Sequence, residues 1–532
     1  MAHQRVFNLF LIILAIWVMF PVAPVSAQTG GDDLLLKSVV SELLLESEPL
    51  SRPAKNYLAT QPVDSLVCWI SDFKDYPHPD IKGWPFKRYH EINDTLKAPY
   101  YVYVPSGYNR VEPTPLMIWL HGGVSRGDFI EEMDDLDEHP ILQICERQGM
   151  ILLFPLGRQG CTWWDDTGIA NVFWQLCELK HQYNIDDDRV FIGGFSDGAS
   201  GAYHLAMQAP TDFAAFFAWS GHMAVGSLAG RVPSYLPNMT CRPVFATNGG
   251  NDGLYPTIRM LPLVRLAVET GCELYFTAYD TAGHNYGYLE FEWPRFIEHV
   301  GSIRRNAFKP NLYWETSDLK YNRIDWLEIG SIDTALERAV WHRDVNFRLA
   351  DDRVTIGFNP DYEWVGEGVY VGSLTPDSTM PAIQMGLHGG DIVIDFDGIK
   401  VSTLQDLSAA KEKKRRGDEF TMRIKRGEEV LVLESRFPPP TDFDAFLRTT
   451  PPGAVRAIKL GNRFELQTSR VTKITIRLTE DMIRWDQPVV VIVNGEIVFD
   501  EIVEPNVIFM LDELRKNRDK RLLWMGVVDI EL

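Results

Sequence analysis

The residues whose spacing carries the most chemistry are Gly194-Phe195-Ser196-Asp197-Gly198, a G-x-S-x-G pattern. A buried-strand run, Val190-Phe191-Ile192-Gly193, stands immediately before it, and residues 199–207 immediately after it read as a helix. Strand, sharp turn and helix are what a nucleophilic serine requires. Small neighbours permit the turn, and the turn leaves the hydroxyl exposed at the carboxyl edge of a sheet.

A serine hydroxyl is a weak nucleophile unless a base takes its proton and an acid orients that base. Two downstream residues fill those roles in chain order. Asp252 follows the apolar run 244–248, and His284 follows the run 274–279, with room for one strand–helix step in each interval. Asp280 is a rival acid, but it ends the strand just before His284 and is expected to be too near in sequence to reach the outer ring nitrogen. His121-Gly122-Gly123 follows the run 116–120, where glycines let backbone N–H groups face a carbonyl oxygen. Ser196, Asp252 and His284 are therefore the predicted catalytic residues, with an oxyanion hole from Gly122, Gly123 and the Asp197 N–H. The chemistry is acyl transfer through an acyl-enzyme that water hydrolyses. No metal and no cofactor is predicted: no Cys/His cluster has zinc spacing, and no C-x-x-C occurs.

These residues need a sheet to position them. Short apolar runs at 99–104, 116–120, 151–155, 190–193, 216–220, 244–248 and 274–279 read as strands, and 172–183, 199–207, 257–270 and 289–303 as helices. The alternation predicts an α/β unit over residues 86–305, a mostly parallel sheet with helices on both faces. Upstream, residues 28–85 form a helical segment in which Leu34, Leu35, Val39, Leu43 and Leu44 recur at helical spacing; it is expected to pack and to carry no chemistry. Downstream the pattern turns to strands. Residues 489–493 and 497–499 flank Asn494-Gly495, a tight-hairpin signal because both residues accept positive φ. A distinct unit at 351–438, with prolines at 438–440 and 451–452 marking its exit, splits a β-domain into 306–350 and 453–532. The basic run 411–416 within it is expected to be a solvated helix end.

The 532 residues carry 52 Lys+Arg against 73 Asp+Glu, a net charge of −21 that argues against nucleic acid and anionic lipid as partners. Residues 7–20 are an unbroken apolar run behind Arg5, closed by Pro21 and Pro24 and followed by small residues at Val25-Ser26-Ala27. Residues 1–27 thus read as a signal peptide, and the cleaved chain is predicted to be exported, secreted or periplasmic, without a membrane anchor. Export permits disulfides, and all six cysteines, an even number, lie between residues 68 and 272.

With these residues in view, residues 86–303 resemble the α/β-hydrolase superfamily, particularly secreted esterases related to polyhydroxyalkanoate depolymerases and feruloyl esterases; prolyl-oligopeptidase-type peptidases share the same core. The aromatic loop Cys161-Thr162-Trp163-Trp164-Asp165 adds to the likeness, which implies that Trp163 and Trp164 border the substrate cleft. The inserted unit resembles a PDZ domain. Thr355-Ile356-Gly357-Phe358 is similar to the carboxylate-binding loop, with Thr355 where many members have Gly. Residues 377–392, with Gly389-Gly390-Asp391-Ile392, and the turn Asp397-Gly398-Ile399-Lys400-Val401 are similar to bacterial PDZ domains of high-temperature-requirement-type proteases. The resemblance implies that Ile356, Gly357 and Phe358 hold a peptide C-terminus beside a helix at 402–414. The split β-domain resembles accessory domains that follow esterases in secreted bacterial proteins.

The resulting expectation is an exported serine hydrolase acting on small-molecule or polymeric esters, its PDZ-like unit binding a protein or peptide or gating the site. Two other readings stand beside it: a serine peptidase with peptides presented by the PDZ-like unit, and a binding scaffold without activity. Intact Ser196, Asp252 and His284 argue against the scaffold.

Overall fold

The computed structural model describes residues 30–46, 50–130, 132–133, 136–351, 354–361 and 364–532. The expected signal peptide, residues 1–27, lies outside the described residues. Among them, no helix is long and apolar enough to cross a membrane.

Three helices come first: α1 (Gly30–Leu45), α2 (Arg52–Ala59) and α3 (Val63–Ser71). Eight strands then form one sheet: β1 (Phe86–Asn93), β2 (Leu96–Tyr103), β3 (Thr114–Leu120), β4 (Ile151–Pro155), β5 (Ile185–Phe195), β6 (Ala215–Trp219), β7 (Val244–Gly249) and β8 (Leu274–Tyr279). Their order is β1-β2-β4-β3-β5-β6-β7-β8. The β1–β2 and β2–β4 pairs are antiparallel, and every pair from β4 through β8 is parallel. Interleaved with the strands are α4 (Pro140–Gln148), α5 (Asp166–Gln182), α6 (Asp197–Gln208), α7 (Val225–Gly230), α8 (Thr257–Glu269) and α9 (Leu289–Ser302).

Strands β3, β4 and β6 are buried at every position because helices cover both faces. Successive side chains feed opposite faces. Ile118, Leu120, Ile192 and Ala218 enter one apolar cluster, while Met117, Trp119, Phe191, Phe217 and Trp219 enter the other. Strand β1 was not among the expected strands. It lies at the sheet margin and alternates polar and half-buried residues, so no apolar run announces it. Helix α5 begins earlier than its apolar pattern because the Asp165 carboxylate accepts the Gly168 N–H at 2.8 Å and caps it.

Beyond residue 305, two antiparallel-rich sheets share a second core. One pairs Asn311–Thr316 with Gly453–Leu460 and continues through Arg463–Ser469, Val489–Val493 and Glu496–Glu501; the other joins Leu327–Ile332, Val471–Leu478 and Gly526–Glu531. Both draw strands from before and after the insert. Asn494 and Gly495 take φ 53° and 94° at the hairpin, as their types require. The sandwich is fastened to the first sheet's unit through buried ion pairs, Arg242 with Asp325 and Arg305 with Asp519. Helices α1–α3 pack around the helix Val507–Asn517 near the other end of the chain.

The insert hangs on a two-stranded stalk, Arg348–Asp351 paired antiparallel with Thr441–Asp444. Its six-stranded sheet runs from Phe358–Pro360 through Val369–Leu374, Ile392–Phe396 and Glu419–Arg426 to Glu429–Arg436, with the short strand Ile399–Lys400 paired to Ile392–Phe396 and the helix Leu404–Lys411 packed on it. The basic run 411–416 differs from its expected solvated state at Arg416. Its guanidinium, mostly buried, holds Asp351 of one stalk leg at 2.5 Å and the Pro439 carbonyl beside the other at 3.0 Å. The disulfides that export would permit are not formed: all six cysteines are free thiols. Cys145, Cys241 and Cys272 sit in three different apolar clusters.

Candidate active site

Strand β5 runs into Ser196, whose backbone takes φ 60°, ψ −118°. A non-glycine residue occupies such a conformation only where its surroundings enforce it. Here the end of β3 passes under the turn. A Cβ on Gly194 would lie 2.4 Å from the Leu120 carbonyl oxygen, and one on Gly198 only 1.8 Å from it. Both glycines of the pattern are thus required by the neighbouring strand as well as by the turn. The Ser196 N–H donates to the Trp219 carbonyl at 2.9 Å, which ties the turn to β6. Asp197 opens α6, so its N–H is one of the first-turn donors that have no acceptor within the helix.

His284 and Asp252 arrive from the loops after β8 and β7. The distance from His284 Nε2 to Ser196 Oγ is 2.9 Å, and from His284 Nδ1 to Asp252 Oδ2 it is 2.8 Å. The other carboxylate oxygen of Asp252 accepts the N–H groups of Leu254 and Tyr255, each at 2.8 Å. Burial by itself would raise the Asp252 carboxyl; the bonds from His284, Tyr255 and Leu254 outweigh it and hold the group below the usual carboxylate range. An ionised Asp252 accepts a hydrogen bond from Nδ1–H and so keeps the ring proton on Nδ1, which leaves the Nε2 lone pair for the Ser196 hydroxyl. The imidazole is packed between Phe195, with ring centroids 5.0 Å apart, and Tyr255, at 5.9 Å. Asp252, not Asp280, is the acid that meets the ring.

Gly122 lies directly against the serine: a Cβ there would come within 2.9 Å of Ser196 Cβ. Two hydrogen bonds fix the peptide planes of this loop. The Trp163 indole N–H donates to the His121 carbonyl at 2.9 Å. The His121 ring accepts the Gly157 N–H at Nε2, at 2.9 Å, so its proton sits on Nδ1 and is donated to the Gly122 carbonyl at 2.7 Å. In a trans peptide the C=O and the following N–H point in opposite directions. Holding the carbonyls of His121 and Gly122 therefore sets the directions of the Gly122 and Gly123 N–H groups. Burial lowers His121 to about 4, so the ring is neutral and keeps this tautomer. The Asp197 carboxylate accepts the Val124 N–H at 2.9 Å and ties the loop to the elbow.

Trp163 and Trp164 do not border a cleft, contrary to the resemblance. They are 1% and 6% exposed and belong to the core beneath the loop. Trp163 lies against Gly157 and against Gly201 of α6, and Trp164 against Gly230 of α7, and Trp163 acts on the site through the His121 carbonyl. Sequence reasoning also missed the His121 ring; its one signal was that His precedes the two glycines. Among the described residues, no group of three or more His, Cys, Asp or Glu side chains is placed to hold a metal ion.

In the insert, Ile356 is buried, Gly357 takes φ 97°, and Phe358 begins the outermost strand of the sheet. The Ile356 carbonyl accepts the Ala382 N–H at 2.8 Å and the Gly357 carbonyl accepts the Thr375 N–H at 3.0 Å, so the loop is held by its own domain. A Cβ on Gly357 would lie 2.5 Å from Met380 Cβ.

The family model described as PDZ domain matches residues 345–435. A curated relative, the bifunctional acetylxylan esterase/xylanase XynS20E of Neocallimastix patriciarum, is 29% identical over 163 residues, which is 29% of this chain and 21% of that protein. The chain thus spans about a fifth of that relative's length. Among solved structures, a thermostable esterase is similar at 20% identity over 42% of this chain and 63% of its own, with a TM-score of 0.32. FphF, a fluorophosphonate-binding serine hydrolase of Staphylococcus aureus, is similar at 16% identity over 41% of this chain and 98% of its own, with a TM-score of 0.34. The sheet order and the turn at the end of its fifth strand are those of an α/β-hydrolase fold, and a segment in the second half of the chain matches the PDZ domain model.

Proposed function

We propose that this chain is an exported serine hydrolase that cleaves carboxylic esters, with Ser196, His284 and Asp252 as its catalytic residues. The observation that carries the reading is the unbroken hydrogen-bond chain from Ser196 Oγ through His284 to Asp252, beside a loop whose amides are held in fixed directions.

Ser196 Oγ attacks the ester carbonyl carbon while its proton passes to His284 Nε2. Asp252 stabilises the imidazolium and keeps its orientation. The carbonyl oxygen becomes an oxyanion that accepts N–H bonds from Asp197 and from Gly122 or Gly123. The tetrahedral intermediate collapses, the C–O bond to the alcohol breaks, and His284 returns the proton to the departing oxygen. Water, deprotonated by the same imidazole, then releases the acid and restores Ser196. Export rests on the apolar run 7–20, and the PDZ domain is the proposed seat of a peptide C-terminus at Ile356, Gly357 and Phe358.

The PDZ match also favours a peptidase reading, in which peptide ends are delivered to Ser196. One set of assays separates the readings: fluorophosphonate labelling, hydrolysis of p-nitrophenyl esters and hydrolysis of peptide amides by the purified chain. The ester reading expects labelling, ester turnover well above amide turnover, and loss of both labelling and turnover in Ser196→Ala, by at least ~10³-fold in rate. Turnover of esters by Ser196→Ala at the wild-type rate would refute it.

A further inference from the structure

The stalk that carries the PDZ domain reaches the hydrolase sheet beside its catalytic loops. A cleft of about 320 Å³ opens there, with His222 and Tyr255 on one wall and Phe347, Leu349 and Phe443 on the other. The first wall belongs to the loops that follow β6 and β7, the carboxyl edge where α/β sheets take their ligands. It also belongs to the triad. Tyr255 gives its N–H to Asp252, its ring stands edge-on to His284 with centroids 5.9 Å apart, and the His222 ring also lies 5.9 Å from that of Tyr255. The second wall is the stalk. Leu349 and Phe443 are directly paired across its two strands, so both side chains leave the ribbon on the same face.

This wall is fixed in place. The Ala445 N–H donates to the Phe347 carbonyl at 2.9 Å, and the Leu447 N–H donates to Ser227 Oγ of α7 at 2.9 Å. Ala445 and Phe446 are buried in the hydrolase core itself. Arg416 clamps the legs from the PDZ side. The cleft is lined mainly by apolar side chains, and its volume lies at the small end of ligand sites, enough for one aromatic ring or a short alkyl chain.

We propose that the stalk is a wall of the ester-binding site, and that Leu349 and Phe443 select the size of an apolar group of the ester held beside His284. The inference deepens the hydrolase reading and rests on it. It means that the domain inserted far along the chain supplies specificity to a site otherwise built by residues 121–284.

The test uses the full chain and two substrate series. One varies the acyl group of p-nitrophenyl esters from acetate through octanoate to benzoate. The other varies the alcohol of acetates from methyl through benzyl to naphthyl. Leu349→Trp fills the cleft and Phe443→Ala enlarges it. A change of one or a few carbons in an apolar pocket is worth roughly 10- to 200-fold in discrimination. In one of the two series, Leu349→Trp is expected to lower the ratio of kcat/KM for the bulky over the smallest member at least about tenfold, and Phe443→Ala to raise it. Val432→Ser, on an exposed PDZ strand position, is the control and should leave the ratios unchanged. A general loss of folding would lower all members together and leave the ratio where it was, so the ratio reports the cleft. Wild-type ratios in both series for both variants, with fluorophosphonate labelling intact, would overturn this inference alone. A wild-type chain that neither labels nor turns over any ester would overturn the hydrolase reading, and this inference with it.

Discussion

Replacing Asp252 by Asn tests the site through a proton rather than through shape. In the wild-type chain one carboxylate oxygen accepts two backbone N–H groups, from Leu254 and Tyr255, and the other accepts the His284 Nδ1 proton. An Asn amide has one acceptor and one donor end. The two N–H groups hold the amide oxygen, so the NH₂ must face His284 Nδ1. The ring then carries its proton on Nε2, where it meets the Ser196 hydroxyl with a donor instead of a lone pair. The imidazole stays within 2.9 Å of Ser196 yet no longer serves as the base. The barrier should rise by about 5.5 kcal/mol, since wrong-tautomer substitutions of this kind lower kcat by ~10⁴-fold and each factor of ten is 1.36 kcal/mol. The assay is kcat for p-nitrophenyl acetate near neutral pH, with thermal unfolding as the control. The Asn fits the same space, so the melting temperature should move little. An Asp252→Asn chain that stays within tenfold of wild-type turnover would refute both the tautomer argument and the assignment of Asp252.

Two further outcomes follow from the same geometry. Trp163→Phe removes the indole N–H that holds the His121 carbonyl, freeing the Gly122 peptide plane; kcat for small esters should fall by at least about tenfold with KM nearly constant, the split expected when transition-state hydrogen bonding is lost. The second outcome is acid lability. His121, His139 and His204 are each lowered by burial from 6.5 to about 4. Between those pH values the unfolded chain binds protons that the folded chain does not, so stability falls as the pH falls, by up to ~1.4 kcal/mol per pH unit for each ring. Urea midpoints measured from pH 7 to 4 should show this decline, and His204→Leu should make it shallower; a flat profile would contradict it.

The sequence by itself determined whatever is decided by neighbours along the chain. The turn at Ser196 was legible because glycines two residues to either side and an apolar strand before it can serve few other purposes. The hairpin at Asn494-Gly495 and the order of Ser196, Asp252 and His284 were legible for similar reasons, as was the PDZ segment through its glycines and Asp391. Only the tertiary structure decided the roles that depend on residues far apart. Trp163 looks like a cleft aromatic in its own loop, but it is buried against Gly157 and against Gly201 of α6, with its N–H on the His121 carbonyl. Six cysteines of even number suggest bridges, but the fold leaves all six as free thiols. Arg416 reads as one more charge in a basic run until the stalk brings Asp351 and Pro439 against it. Leu349 and Phe443 are separated by the whole PDZ domain in sequence, and only the pairing of the stalk strands sets them side by side in the cleft that Tyr255 lines. Local conformation follows from steric and hydrogen-bonding rules that act over a few residues, whereas these contacts follow from which surfaces the chain buries against one another, and no short window of sequence contains both partners.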